Sequence, residues 1–437
     1  MQITRLTLTQ FRAFEQATFE FHPGMNLLVG INGVGKSTVL DVIRIILSQS
    51  LPKLTASKSK AIAFETTDIM SDRSSLTAEL QFEAANLELN YLVHEPREKY
   101  AASPERQGEA YDQAYDLLEQ HRLSSNGRKI PGQLKKAESQ PLALYFSTRR
   151  SLPIMDAPTK QSSAGNQSAA FAGALTHREL RLREFAEWWL VQEALANDEN
   201  PSPKHRLDAL KSAVAQFLDT FTNLRAVRDP QTTLLLDKEG VTLDVRQLSD
   251  GERSVLALVL DLARRLSQAN PTSEDSLQGK AVVLIDELDL HLHPTWQRTI
   301  VAKLTQTFPN CQFIATTHSP QIVGEVKPPG LSLIAKEGDR VVVIQEGLQG
   351  FGLDSSWILE HLMGTTSRNA STQAQINLVE DALEEGELDL ARSRLETLRT
   401  MQHGDDPEVF RLEASINNLE ALADEVDLDD EMDSEEE

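Results

Sequence analysis

The sequence predicts an α/β fold, in which a mixed sheet carries a helical subdomain and a helical hairpin follows near the C-terminus. An apolar strand at Met25–Val29 leads through a glycine-rich loop into a helix. A second apolar strand, Ala281–Ile285, ends in two carboxylates. Alternation of apolar strands and helices is typical of a sheet with helices packed on it. From about residue 369 the apolar residues recur at helical spacing, which predicts the hairpin.

The predicted elements follow one another along the whole chain. Alternating or continuous apolar residues predict strands around Leu6–Leu8 and over 25–29, 74–94, 233–236, 241–245, 281–285 and 312–316. Helical periodicity predicts helices over 36–47, 177–224 with a break at 201–203, 252–268, 294–307, 372–384, 388–401 and 406–423.

Two stretches do not fit this alternation. Residues 96–140 are charged and rich in glutamine, which predicts an insert with a helix around 107–121. Ser151–Thr176 is rich in Ser, Ala, Gly and Gln, which predicts a mobile loop.

The composition fits a globular protein of one to three domains, because 40% of the 437 residues are apolar. The one cysteine, Cys311, excludes an intrachain disulfide framework. No signal peptide or membrane span is recognisable, so we expect a cytoplasmic protein without a membrane partner. The net charge of −23 includes ten acidic residues in 424–437, predicted to be a solvated acidic tail. This charge disfavours nucleic-acid binding over the whole surface but leaves room for a local basic strip.

The glycine-rich loop matches the phosphate-loop pattern G-x-x-x-x-G-K-[ST]. Glycines allow successive N–H groups to face phosphate oxygens, Lys36 adds a positive charge, and Ser37 offers a hydroxyl to Mg²⁺. The alternative is a glycine-rich turn with a surface lysine. We expect ATP contacts from Gly30, Asn32, Gly33, Val34, Gly35, Lys36, Ser37 and Thr38.

The two carboxylates after the second apolar strand complete a candidate site for ATP and Mg²⁺. Asp286 is the predicted Mg²⁺ ligand, together with Ser37, and Glu287 the predicted general base. His318 follows another apolar strand and can reach a γ-phosphate. The alternatives are an acidic pair that caps a strand and a structural histidine.

A third motif, Gln247–Arg253, reads QLSDGER and immediately precedes a helix. A helix N-terminus binds anions, although Ser-Asp-Gly-Glu taken alone is a good helix cap. The order of phosphate loop, LSDGE, strand-Asp-Glu and His resembles the ATP-binding-cassette (ABC) ATPase head in its RecF/SMC-like (AAA_21/OLD-like) branch.

This resemblance implies that the motif of one copy closes over the ATP held by another, in a head-to-tail dimer or higher oligomer. It assigns trans contacts to Ser249, Asp250, Gly251 and Glu252 and a cross-dimer role to Asp289. Asp250 replaces the first of the usual two glycines. Phe11–Phe14 matches a family segment whose arginine, here Arg12, approaches nucleotide phosphate. No residue is assigned to the family's glutamine loop, although Leu144–Ser151 lies at a comparable place.

Within this branch the chain is similar to the small ATPases of bacterial anti-phage defence operons, the Septu and retron-associated group. The likeness is carried by FAEWW at 185–189 followed by Glu199-Asn200, the stretch 247–266, DELDLHLHPTWQ at 286–297, the stretch 308–320, and GLDSSWIL from residue 352 followed by a helical hairpin. It implies a sensor and scaffold that controls a separate HNH-type nuclease.

Two rival functions stay open at this stage. The first is a RecF-like clamp that grips duplex DNA on ATP binding, with a basic strip from Arg149, Arg150, Arg178, Arg181 and Arg183. Scattered arginines on helices are more often paired with nearby glutamates. The second is a scaffold that binds ATP to assemble and hardly hydrolyses it.

Two further residue pairs admit a structural and a functional interpretation. His291 and His293 suggest a zinc site, but a loop before a proline-started helix is the better interpretation. Trp188 and Trp189 could stack a nucleobase, but on an amphipathic helix they are better interpreted as core or subunit interface.

The resemblance and the element pattern together divide the chain into six predicted segments. They are an ATPase N-lobe with the phosphate loop at 1–95, an insert and mobile loop at 96–176, a helical subdomain at 177–230, an ATPase C-lobe at 231–368, a helical oligomerisation or partner-docking element at 369–423, and a disordered acidic tail at 424–437.

Overall fold

The computed structural model of the chain describes residues 1–84, 87–97, 120–125, 139–150, 167–176, 182–196, 202–229, 231–273, 275–402 and 404–434, with the backbone alone over 120–125 and 423–434. The chain divides into two compact units, Met1–Ile358 and Leu359–Glu437, which are described separately.

A six-stranded sheet in the order β14-β13-β3-β12-β11-β7 forms the centre of the first unit. Its strands are β3 (Met25–Val29), β7 (Leu142–Phe146), β11 (Ala281–Ile285), β12 (Cys311–Thr316), β13 (Leu331–Glu337) and β14 (Arg340–Ile344). Five of them run parallel, and only β14 is antiparallel to its neighbour. Because the carboxyl ends of parallel strands share one edge, the loops after β3, β11 and β12 meet there.

A five-stranded antiparallel sheet in the order β2-β1-β4-β5-β6 lies in the same unit. It contains β1 (Gln2–Phe11), β2 (Phe14–Glu20), β4 (Ser75–Ala84), β5 (Leu87–Pro96) and β6 (Gln120–Ser125). One face of β4 is buried at every second residue, as expected for a sheet with one face in the core. The sheet shares a hydrophobic core with the helix that follows the phosphate loop.

Eight described helices belong wholly or mainly to the first unit. They are α1 (Lys36–Leu54), α2 (Leu182–Leu195), α3 (Ser202–Phe217), α4 (Asp250–Ala269), α5 (Pro294–Gln297), α6 (Ile300–Thr307), α7 (Pro320–Val323) and α8 (Ser355–His361). A small antiparallel sheet, β10-β9-β8, precedes α4 and contains β8 (Phe221–Val227), β9 (Thr233–Lys238) and β10 (Val241–Asp244).

Three helices form the second unit: α9 (Ala370–Glu384), α10 (Leu388–Met401) and α11 (Pro407–Ser434). Their apolar residues, such as Val379 and Leu412, form a core of their own. The predicted disordered tail at 424–437 differs from the structure, because α11 continues to Ser434. The spacing of Leu419, Leu422 and Val426 extends the helical pattern into this acidic stretch.

The predicted insert at 96–176 is wrong at its C-terminal end. All five residues of β7 are buried, and β7 pairs in parallel with β11, so it is an edge strand of the central sheet. Residues 167–176, predicted to be mobile, are packed, because Arg265 donates hydrogen bonds to the carbonyl oxygens of Ala170 and Ala172. Residues 151–166 and the predicted helix over 107–119 lie outside the described residues, and Gln120 and His121 are strand.

The helical pattern of 177–224 also ends earlier than predicted. Helix α3 stops at Phe217, and Phe221 begins β8, which pairs with β9. Phe221 and Leu224 are both buried, three residues apart, because the pairing of β8 with β9 shifts register between Thr222 and Arg225. This apolar spacing of three residues resembles that of a helix. Trp188 and Trp189 are 2% and 0% exposed, which confirms the core interpretation over base stacking.

Among the described residues, no helix combines the length and the apolar character needed to cross a bilayer.

Candidate nucleotide-binding site

The phosphate loop connects β3 to α1 at the shared edge of the central sheet. Lys36, 6% exposed, donates hydrogen bonds from Nζ to the carbonyl oxygens of Gly30 and Ile31 at 2.8 and 2.9 Å. Burial lowers the pKa of Lys36, while the carboxylates of Asp286, Glu287 and Asp289 partly offset that effect. The ammonium is therefore held inside the loop and faces the acidic cluster.

The start of α1 has the features of an anion-binding helix N-terminus. Helix α1 begins after Gly35, and no side chain caps it. The N–H groups of its first turn have no partner within the helix, and they carry the positive end of the helix dipole. Gly30 has a φ of 150°, and a Cβ there would lie 2.2 Å from the carbonyl oxygen of Ile334. Only glycine fits at this position.

Two hydroxyl groups converge on the first carboxylate after β11. Ser37 Oγ and Thr316 Oγ1 donate to Asp286 Oδ1 at 2.8 and 2.7 Å. Asp286 is 8% exposed. A hydroxyl and a carboxylate oxygen at the end of a phosphate loop are ligands that Mg²⁺ prefers, so the donor set fits this ion.

The second carboxylate, Glu287, has an unusual backbone conformation. Its φ is 49°, a left-handed value that costs free energy for a residue with a side chain. The Glu287 N–H donates to Thr316 Oγ1 at 2.7 Å, and its carbonyl oxygen accepts from Arg150 Nη2 at 2.5 Å. These contacts fix the backbone from which the predicted general base extends.

Asp289 lies beside the loop that contains His318. Its Oδ1 accepts hydrogen bonds from Thr317 Oγ1 at 2.6 Å and from the His318 N–H at 3.0 Å. Within one chain, Asp289 therefore fixes the backbone of His318, the residue predicted to reach a γ-phosphate. The cross-dimer role that the resemblance implies for Asp289 stays a prediction.

The third motif begins α4 with a capping box. Ser249 Oγ accepts from the Glu252 N–H at 3.3 Å, and Glu252 Oε2 accepts from the Ser249 N–H at 3.0 Å. Lys238 lies 2.6 Å from Glu252 Oε1. Burial raises the pKa of Glu252, but hydrogen bonds from Lys238 and Ser249 outweigh it, so the net pKa is lowered.

Asp250 and Gly251, which lie between Ser249 and Glu252, also lie close to other residues of the same chain. Asp250 pairs with Arg253 one turn further along α4. A Cβ on Gly251 would lie 2.5 Å from the carbonyl oxygen of His291, so the start of α4 approaches the loop after Asp289 closely. His291 has a φ of 62°, and the ring of His293 accepts from the Thr295 N–H at the start of α5. The His293 ring therefore has a structural role as the cap of α5.

Arg12 lies at the rim of the phosphate loop. Its guanidinium pairs with Asp41 at 3.1 Å and Asp68 at 2.9 Å, and its Nη1 is 3.4 Å from Thr38 Oγ1. Burial lowers the pKa of Arg12, but the hydrogen bond to Asp41 and the interactions with Asp68 outweigh it and raise the pKa.

The structure thus joins Ser37, Asp286, Glu287, Asp289 and the His318 backbone into one connected group. It does not connect this group directly to the start of α4. In the part of the chain that the structure describes, no hydrogen bond joins residues 249–252 to residues 30–38.

Comparison with known families gives this arrangement a context. A model described as "AAA domain, putative AbiEii toxin, Type IV TA system", AAA_21, matches residues 25–324, more than half of the chain. The chain belongs to the AAA_21 family of ATPases. The matched span contains the phosphate loop, the carboxylate pair and the capping-box motif.

Individual relatives of this AAA_21 protein include retron ATPases and Septu proteins. The retron Ec83 probable ATPase of Escherichia coli is 44% identical over 162 residues, which is 37% of this chain and 29% of that protein. The chain thus spans less than a third of that relative. The Septu protein PtuA of Bacillus thuringiensis is 22% identical over 372 residues, 83% of this chain and 84% of that protein. The predicted resemblance to Septu and retron ATPases is confirmed.

Among solved structures, the AAA_21 chain is similar to an SMC head bound to the C-terminal winged-helix domain of ScpA. The TM-score is 0.47 at 13% identity, over 79% of this chain and 99% of that one. The fold class itself, a mixed sheet with helices, is confirmed by the strands and helices described above.

The arginines predicted as a basic strip do not share one role. Arg183 pairs with Glu187 on the same helix, and Arg178 and Arg181 lie outside the described residues. Arg150 is only 6% exposed and donates a hydrogen bond to the carbonyl oxygen of Asp286, the first residue of the carboxylate pair. The prediction that Arg150 belongs to a basic surface strip is therefore wrong. Sequence reasoning missed this position because its partners are backbone carbonyls distant in sequence. An arginine four residues after an apolar strand was the only signal.

Proposed function

We propose that the chain binds ATP with Mg²⁺ and hydrolyses it at sites completed by a second copy arranged head to tail. The observation that carries this proposal is the convergence of Ser37 and Thr316 on Asp286, at 2.8 and 2.7 Å, beside the buried Lys36. Membership of an ATPase family supports it.

Different residues of the site would bind the metal ion and the phosphates. Bound Mg²⁺ would draw negative charge from the phosphate oxygens, with the Ser37 hydroxyl and the Asp286 carboxylate as its protein ligands. Lys36 would exchange its present acceptors, the carbonyl oxygens of Gly30 and Ile31, for phosphate oxygens. The N–H groups at the start of α1 would donate to the same phosphates.

The chemical step needs a base and a group that detects the γ-phosphate. The Glu287 carboxylate would orient the attacking water and accept its proton. The His318 ring would donate a hydrogen bond to the γ-phosphate, from a backbone that Asp289 holds in place. Both groups extend from loops at the carboxyl edge of the central sheet.

A second copy would complete the site with the start of its α4. Ser249 and Asp250 are exposed, and Gly251 brings the helix backbone within reach of an anion.

The ATPase proposal is tested on the purified chain by phosphate release and by molar mass in solution with and without ATP. We expect the wild type to hydrolyse ATP, Lys36→Ala to lose binding, and Glu287→Gln to bind ATP and accumulate as a dimer. ATP-dependent assembly without hydrolysis in the wild type would favour the scaffold alternative. A wild-type chain that neither binds nor hydrolyses ATP would overturn the proposal.

We further propose that this ATPase is the sensor and scaffold of a cytoplasmic anti-phage system and controls a separate HNH-type nuclease. The support is the similarity to retron and Septu proteins. Co-expression with the neighbouring gene should give a complex and phage protection that Lys36→Ala abolishes. A chain that instead binds duplex DNA in an ATP-dependent, salt-sensitive manner, without complex or protection, would favour the DNA-clamp alternative.

A further inference from the structure

A buried arginine lies directly beneath the carboxylate pair. Arg150 follows β7 by a short turn, in which its N–H donates to the carbonyl oxygen of Ser147 at 3.1 Å. Its guanidinium donates from Nη1 to the carbonyl oxygen of Asp286 and from Nη2 to that of Glu287, both at 2.5 Å. One planar group therefore holds the backbone of both residues.

The same residue contacts the helix that begins with the capping-box motif. The carbonyl oxygen of Arg150 accepts from Ser254 Oγ at 3.1 Å, and Ser254 is 2% exposed. Ser254 lies one turn after the start of α4 at Asp250. Arg150 is thus a direct physical link between Glu287 and the first turns of α4.

The chemistry at this position demands an arginine. Burial lowers the pKa of Arg150 to about 10, with Asp289, Asp286 and Glu287 partly offsetting that effect, so the group is cationic at neutral pH. A guanidinium can donate to two carbonyl oxygens in a fixed fork, whereas a lysine offers a point charge on a flexible stem. Glu287 also has the left-handed φ of 49°, so its carbonyl is held where the backbone is strained.

We propose that Arg150 is a positioning residue that couples the start of α4 to the backbone of Glu287. When the α4 N-terminus of one copy engages a nucleotide held by a second copy, Arg150 transmits the displacement to the Glu287 of its own site. This inference rests on the proposed ATPase function. ATP binding by the phosphate loop does not depend on Arg150, whereas turnover does.

The test compares Arg150→Met, Arg150→Lys and Ser254→Ala with a matched control, Arg265→Met. Arg265 lies on α4, as Ser254 does. Like Arg150, it is buried, with 4% exposed, and donates to two backbone carbonyl oxygens, those of Ala170 and Ala172. The measurements are the Kd of a fluorescent ATP analogue, kcat, and Tm.

For Arg150→Met we expect kcat to fall by about 30-fold while Kd changes by less than about twofold. Arg150→Lys should recover part of kcat, because one of the two carbonyl contacts can re-form. Ser254→Ala should lower kcat by about threefold, as expected for the loss of one neutral hydrogen bond. Arg265→Met should lower Tm without a comparable fall in kcat.

Hydrogen–deuterium exchange of the nucleotide-free chain provides a readout that does not need turnover. In Arg150→Met and in Ser254→Ala, amides in 249–254 and 286–290 should exchange faster together, and in Arg265→Met they should not. Faster exchange in only one of the two segments would overturn the inference, as would equal losses of Kd and kcat. If Arg150→Met does not fold, Ser254→Ala decides by the same criteria. A wild-type chain that does not hydrolyse ATP would overturn the proposed function. The hydrogen–deuterium exchange of the two segments would still decide whether Arg150 couples the start of α4 to the backbone of Glu287.

Discussion

Two helix N-termini, those of α1 and α4, are assigned to the same phosphates by sequence, yet they are built differently. Helix α1 begins at the buried Lys36, and its N-cap residue, Gly35, provides no side-chain cap. Helix α4 begins after Ser249 with a complete capping box, and Glu252 also pairs with Lys238. The first terminus has unused donors, whereas the donors of the second are partly satisfied by its own chain.

This difference predicts an order of events. The α1 terminus can bind ATP in a single copy, because among the described residues no side chain caps its first N–H groups. The α4 terminus must exchange the Ser249–Glu252 contacts for phosphate contacts, which costs free energy that only an already bound ATP can offset. Nucleotide binding should therefore precede closure between two copies.

The largest effect is expected at the α1 terminus. Lys36→Ala removes a charged donor from a buried site, and losing about 3 kcal/mol of charge-assisted hydrogen bonding should weaken ATP affinity by about 100-fold. Isothermal titration of the isolated chain measures this. Lys53→Ala, at the other end of α1, is the control and should bind ATP like the wild type. Equal affinities of Lys36→Ala and wild type would refute the role of the lysine.

At the α4 terminus the expected effect is on turnover and not on binding. Ser249→Ala should leave the Kd of a single copy within about twofold and lower kcat by about tenfold or more, because the contact is made only after closure. The substitution also removes a helix cap worth about 1 kcal/mol. Asn369→Ala, which removes the cap of α9, controls for that loss. A weakened Kd in Ser249→Ala would show that both termini act in one copy.

A smaller effect is expected for Arg12, at the rim of α1. If Arg12 approaches phosphate, as the resemblance implies, Arg12→Ala should weaken ATP affinity by about fivefold, or about 1 kcal/mol. Asp68→Asn removes the ion pair but keeps the arginine, so it should retain affinity. If both variants lose affinity equally, Arg12 acts by holding the 65–70 loop instead.

The smallest effect concerns the pH dependence of the α4 cap. The lowered pKa of Glu252 means that its carboxylate stabilises the folded chain above the ordinary glutamate pKa of 4.5, and this contribution is lost as pH falls through the lowered value. The Tm difference between wild type and Glu252→Gln should therefore be full at neutral pH and shrink below about pH 4.5. Thermal scans from pH 3 to 8 measure it. A difference that grows in acid would contradict the assigned ion pair.

Much of the site was predictable because its signals are local. The strand, loop and helix around Gly30–Ser37 are consecutive in sequence, and each constrains the next. The buried strand before Asp286 is likewise read directly from five apolar residues. Local capping chemistry also predicted the start of the helix after Ser249.

What could not be predicted depends on contacts between distant residues. β7 was assigned to an insert because an isolated run of apolar residues does not show that β11 pairs with it. Arg150 was placed on the surface because its acceptors, at Asp286 and Glu287, are backbone atoms that have no sequence pattern. Phe221 was assigned to a helix because strand pairing with β9 overrides local spacing.

The central claim, that two copies build each site, is tested most directly by mixing two variants that are each impaired in a different half of the site. Lys36→Ala impairs the part of the site at the start of α1, and Ser249→Ala impairs the part at the start of α4. In a head-to-tail dimer of one copy of each variant, one of the two sites combines the intact Lys36 of one copy with the intact Ser249 of the other. We predict that a 1:1 mixture regains about a quarter of wild-type ATP hydrolysis, because about half of the dimers are mixed and half of their sites are intact. A mixture no more active than the mean of its two components would contradict the claim.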